Sequence, residues 1–187
     1  MKIEETFSVR TTVDRVWDFI SDPNKMASCI PSVQSVQILD ERHYEGLVKQ
    51  SVGFISATFR IQTEVLEREA PFRMVLSNRG KTISGAHGML KSTDTVILKA
   101  GADQSTEVRV VSELTLGGQL AVLGAKLIEA KSKELFAEVT ANLREKLGGT
   151  AVVAAPVPRK SKVLRFLQAV IGSIKNLFFR KSLAKSE

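Results

Sequence analysis

Apolar and polar residues alternate through the first two thirds of the chain. In KIEETFSV, Ile3, Phe7 and Val9 share one parity, the period of a strand. The pattern then shifts. In VDRVWDFIS, Val13, Val16, Trp17 and Ile20 recur at helical spacing, with Thr11 or Thr12 as N-cap and Asp22-Pro23 as the stop. A second short helix is predicted over Asn24 to Cys29, closed by Ile30-Pro31. From there to Gly118 six strand-like segments follow: VQSVQIL, YEGLVKQSVG, ISATFRIQTEVLERE, FRMVLSNRGK, GMLKSTDTVILKA and TEVRVVSELTL. Turn-length breaks between them predict an antiparallel meander.

After Gly117-Gly118 the period is helical. Leu120, Leu123, Leu127, Leu135, Val139, Leu143 and Leu147 predict one amphipathic helix of about 45 Å, stopped by Gly148-Gly149. The expected class is therefore α+β. One helix laid over a curved antiparallel sheet covers only part of its apolar face, which leaves room for a cavity. Strand parity and helix phase give its candidate lining as Phe54, Phe59, Ile61, Met74, Leu76, Leu90, Val110, Leu114, Leu116, Leu120, Leu123 and Leu127. Such a wall suits a hydrophobic guest held without covalent chemistry. The competing reading is a filled core that needs no ligand.

Beyond the helix the composition changes. The Ala/Val/Pro-rich stretch 149–160 reads as a linker between a domain spanning 1–148 and a basic amphipathic helix at 161–183. On a helical wheel Val163, Leu164, Phe166, Leu167, Val170, Ile171, Ile174, Leu177 and Phe178 fall within an arc of about 160°. Lys162, Arg165, Lys175 and Arg180 occupy the opposite side, and Lys181 follows. Charge reinforces this picture. Of 27 Lys/Arg, eight lie from Arg159 onward, against one of the 20 acidic residues, so 1–158 holds 19 of each sign and the net charge of +7 belongs to the tail. Apolar residues on one side and Lys/Arg on the other describe a helix lying in the surface of an anionic membrane. The uncharged run Phe166 to Ile174 is nine residues, short of the roughly 20 needed for a crossing. Nucleic acid would leave the apolar side unexplained. Docking of the tail on the body is the other reading.

Recognisable catalytic chemistry is sparse. His43 and His87 are the only histidines, and no HxxxH, HExxH, CxxC, P-loop or GxSxG is present. Cys29 has no neighbouring base and reads as a small core residue; Trp17 belongs to the core stripe of its helix. A single cysteine excludes an internal disulfide, and MKIEETFSV lacks the apolar segment of a signal peptide, so a cytoplasmic location is expected, peripheral to the membrane's cytoplasmic face.

Two motifs, VRTTVDRVWDFISDPNKMASCIPSVQSV and GGQLAVLGAKLIEAKSKELFAEVTANLREKL, resemble the CoxG family of carbon monoxide dehydrogenase subunits, within the START and Bet v 1-like superfamily. The resemblance covers about 1–147. It departs at Ser32, where the family usually has glycine after C-I-P. The resemblance implies a helix-grip fold with apolar ligands held between sheet and long helix. It also implies a non-catalytic accessory to a molybdenum hydroxylase such as carbon monoxide dehydrogenase, tied to that enzyme's membrane association. Joined to the tail, it predicts a carrier of a respiratory lipoquinone such as menaquinone, with no covalent cofactor. The alternative is an adaptor that recruits the enzyme to the membrane without transporting a ligand.

Overall fold

Seven strands form one antiparallel sheet in the order β1-β7-β6-β5-β4-β3-β2. They are β1 (Lys2–Val9), β2 (Val33–Ile38), β3 (His43–Val52), β4 (Ile55–Glu69), β5 (Arg73–Gly85), β6 (Gly88–Ala100) and β7 (Thr106–Gly118). The computed structural model describes residues 1–52 and 55–148. Helices α1 (Val13–Ile20) and α2 (Pro23–Ala27) lie between β1 and β2. A 3-10 helix (Gln119–Leu123) and α3 (Ala125–Lys146) follow β7.

β2 to β7 run as the predicted meander, and β1 closes the far edge by pairing with β7, Val9 opposite Thr106 and Lys2 opposite Glu113. The β4–β5 register shifts twice, between Thr58 and Phe59 and between Val65 and Glu67. Each bulge bends its strand and increases local twist, which curls the sheet around its inner face.

Local sequence explains the two short helices. Thr12 stands at the N-cap of α1 in extended backbone but makes no side-chain cap bond, so the helix is held by burial of Val13, Val16, Trp17 and Ile20. Asp22 does more than stop α1. Its carboxylate accepts from the backbone N–H of Asn24 (2.9 Å) and Lys25 (3.2 Å), which caps α2 with Pro23 in its first turn. Ser32 has φ 71°, the left-handed conformation that glycine adopts without strain.

The apolar interior falls into two clusters. One is densely packed: Val9, Val16, Trp17, Cys29, Val65, Met74, Leu98 and Val108 meet Leu143 and Leu147 at the C-terminal end of α3. The other is small, with Ala57, Phe59 and Leu120 buried and Ile61, Leu90, Leu116 and Leu123 partly buried around them.

The long helix differs from its sequence pattern. The single helix expected from Gly118 to Leu147 is interrupted at Gly124, whose φ of 78° separates the 3-10 helix from α3. α3 has 22 residues and spans about 33 Å. The break resets the helical phase: Ile128, Leu135, Phe136, Val139 and Leu143 face the sheet, whereas Leu127 is 39% exposed. Gly118, at φ 67°, makes the turn out of β7 possible. It passes so close to β6 that a side chain on it would sit 3.0 Å from Gly88 Cα.

A candidate ligand-binding cavity

The bulged sheet and α3 enclose a cavity of about 540 Å³. Alternation builds its wall. On β4 the inward positions are Ala57, Phe59, Ile61, Thr63 and Val65; on β7 they are Val108, Val110, Ser112, Leu114 and Leu116. β5 and β6 contribute Met74, Leu76, Leu90 and Val96, the 3-10 helix Leu120 and Leu123, and α3 Ile128, Leu135, Phe136 and Val139.

Among the lining residues read from sequence, the structure brings together Phe59, Ile61, Met74, Leu76, Leu90, Val110, Leu114, Leu116, Leu120 and Leu123 on this wall. Leu127 is not on it, because the break at Gly124 turns it outward. Phe54 lies outside the described residues, as do the linker and all the candidate membrane contacts from Lys162 to Lys181.

A belt of polar side chains crosses this apolar wall, and sequence reasoning did not single it out. Thr63, Asn78, Asp94 and Ser112 come from four adjacent strands, with Ser92 beside them. Register sets Thr63 opposite Asn78, Asn78 opposite Ser92 and Asp94 opposite Ser112. Thr63 Oγ1 donates to Asn78 Oδ1 (2.6 Å). Asn78 Nδ2 donates to Asp94 Oδ2 (2.6 Å) and Ser92 Oγ (3.2 Å). Ser92 Oγ donates to Asp94 Oδ2 (3.1 Å) and Ser112 Oγ donates to Asp94 Oδ1. Burial pushes the Asp94 carboxyl above the usual carboxylate range, and the bonds from Ser112, Ser92 and Asn78 act in the opposite direction. A legible signal existed: each of these residues breaks an apolar run at an inward parity, as in Ile61-x-Thr63-x-Val65 and Val110-x-Ser112-x-Leu114.

Tyr44, on β3 opposite Thr63, extends the belt. Burial pushes its hydroxyl up to about 12, with Arg68 lowering and Asp94 raising it, so it stays protonated at neutral pH. Two further polar atoms on the wall, Ser21 Oγ and Gln50 Nε2, are buried without a hydrogen-bond partner among the described residues.

The remaining candidates sit elsewhere. Cys29 is fully buried and its thiol is pushed up by desolvation, unlike a reactive thiolate. His87 is exposed in the β5–β6 turn, where its backbone N–H donates to Gln119 Oε1 (3.1 Å). His43 is exposed, its Nδ1 2.9 Å from Asp40 Oδ1. Among the described residues no group of three or more His, Cys, Asp or Glu is placed to hold a metal ion.

A curved antiparallel sheet gripping a C-terminal helix over an internal cavity defines the START-like class. Solved structures of that architecture superpose on this chain. A conserved protein from Geobacillus kaustophilus matches with TM-score 0.73 at 18% identity, over 79% of this chain and 95% of its own. A START superfamily protein from Mycobacterium smegmatis gives 0.61 at 12%, over 79% and 97%. The Zhui aromatase/cyclase from Streptomyces sp. R1128 gives 0.58 at 13%, over 79% and 93%. The chain belongs to the CoxG family of carbon monoxide dehydrogenase subunits, whose model matches residues 6–148. No curated protein matches the sequence. The family name ties the chain to carbon monoxide dehydrogenase. The aromatase/cyclase shows that the fold also accommodates catalysis. Among the described residues no helix is long and apolar enough to cross a membrane.

Proposed function

We propose that this protein carries a respiratory lipoquinone, of the menaquinone type, between an anionic membrane surface and a molybdenum hydroxylase-type dehydrogenase. The observation that carries the reading is the cavity. At about 540 Å³ it falls within the range of small-molecule sites, roughly 300–1,000 Å³. Its wall is predominantly aliphatic and aromatic, with the belt and Ser21, Gln50, Arg68, Lys131 and Ser132 as its polar positions. An adaptor without cargo has no need of such an interior, and a filled core would have closed it. Membrane docking is assigned to the tail on its sequence, where each Lys/Arg beside anionic lipid contributes on the order of 1 kcal/mol. The carrier performs no chemistry on its cargo.

Native mass spectrometry with lipid extraction, on protein purified from a quinone-making organism, tests the reading. A co-purifying quinone near one-to-one is the expected result. An empty protein that still binds anionic liposomes would favour the adaptor. Deleting 159–187 is expected to abolish liposome binding and leave ligand binding intact; retained liposome binding would remove the role given to the tail.

A further inference from the structure

We propose that the belt is a head-group subsite: the Tyr44 hydroxyl, seated beside Thr63, Asn78 and Asp94, donates to a carbonyl-type oxygen on the ligand's polar head, and the ligand's apolar chain runs toward Leu120 and Leu123. This orientation rests on the carrier reading above and adds to it which end of the ligand goes where.

The argument begins with cost. A cavity meant only for hydrocarbon would be lined by hydrocarbon, because burying a carboxyl and its polar neighbours disfavours folding unless each is hydrogen-bonded. Here five polar side chains occupy consecutive inward positions on four strands, and they satisfy one another. Asp94 gathers three of the donors, so the belt is a fixed array and not a set of loose hydroxyls. Tyr44 is different. It lines the same wall, next to Thr63, and its hydroxyl makes no hydrogen bond to any described residue. A protonated phenol with no partner, at the edge of a saturated polar array, has a donor available for a guest's oxygen.

The rest of the wall sets the direction. On one side of the belt lies the packed cluster of Val65, Met74, Leu98 and Val108, closed by Leu143. On the other lie Phe59, Leu120 and Leu123, where only Ala57, Phe59 and Leu120 are buried. Val65, Met74, Val108 and Leu143 also line the cavity, but the second side is the less densely packed, and the chain of isoprene units is assigned to it. Gln50 offers a competing anchor there, since its Nε2 is buried and unpartnered. It lies six residues along β3 from Tyr44, roughly 20 Å at strand rise, so one small ring cannot reach both.

Binding of menaquinone-4, and of a naphthalene bearing the same prenyl chain without carbonyls, is read from quenching of Trp17, the chain's one tryptophan. Full-length wild type, Tyr44→Phe and Gln50→Leu are compared, with circular dichroism to establish folding. Tyr44→Phe is expected to weaken menaquinone-4 about five- to tenfold, the loss of one hydrogen bond, and leave the carbonyl-free analogue unchanged. Equal loss for both ligands, no loss, or a selective loss in Gln50→Leu instead would overturn the orientation while leaving the carrier reading intact. Wild type that binds neither ligand would overturn both.

Discussion

The Asn142 side-chain amide donates to the backbone carbonyl of Cys29 at 2.9 Å, joining residues 113 apart in sequence. This bond ties the last turns of α3 to the segment between α2 and β2, beside Leu143, the one α3 residue that is fully buried. Asn142→Ala removes the donor from a part-buried carbonyl and is expected to cost about 1–2 kcal/mol. Urea unfolding of the wild type and variant measures it; coincident midpoints would show that the bond is incidental.

Leu114 points into the cavity from β7, and space lies in front of it. Leu114→Trp is therefore expected to fill volume instead of overpacking, leaving the melting temperature within a few degrees while reducing quinone binding at least tenfold. A large drop in melting temperature would mean that the cavity is already filled by neighbouring side chains.

Ser32 holds a left-handed backbone that costs a non-glycine residue roughly 1–2 kcal/mol. Ser32→Gly relieves it at the expense of a more flexible unfolded chain, so a net gain of up to about 1 kcal/mol is expected. Thermal unfolding checks the sign. A destabilised variant would show that the serine side chain contributes more than the strain removes.

Folding raises the Asp94 pKa, which sets the sign of its pH effect. Its contribution is fully present below the unfolded value of about 3.9 and is lost as pH rises through the folded value. The stability of the wild type relative to Asp94→Asn is thus expected to fall between acidic and neutral pH. Asp22 and Asp40 are lowered by backbone N–H groups and lose stability in the opposite direction, as pH falls, but they are present in both proteins and cancel in the difference. Urea midpoints across pH 4–8 give the comparison, and parallel curves would contradict the assignment. Tyr44 and Arg68 line the same wall and are unchanged between the two proteins.

Strands were legible because alternation is a local property: one correct parity on β7 places Val110, Leu114 and Leu116 together on the wall. The break at Gly124 was not, since Leu120, Leu123 and Leu127 keep helical spacing across it and only the backbone φ reveals the change of phase. The belt was legible only as single polar interruptions at inward parity; its members are up to 49 residues apart and meet only through register. Sheet pairing between distant strands is not encoded in any short window. Ser21 and Gln50 likewise become notable only once burial has stripped them of water.

The uneven support of α3 makes it a cantilever. Asn142, Leu143 and Leu147 clamp one end, while from Ala125 to Leu135 no residue is fully buried and the backbone is interrupted at Gly124. A beam fixed at one end deflects most at the other, so on the carrier reading a bulkier guest would be accommodated by lifting the turns from Ala125 to Leu135 with the clamp unmoved. Capacity would then be a matter of stiffness, set where the helix is held and not where the guest lies.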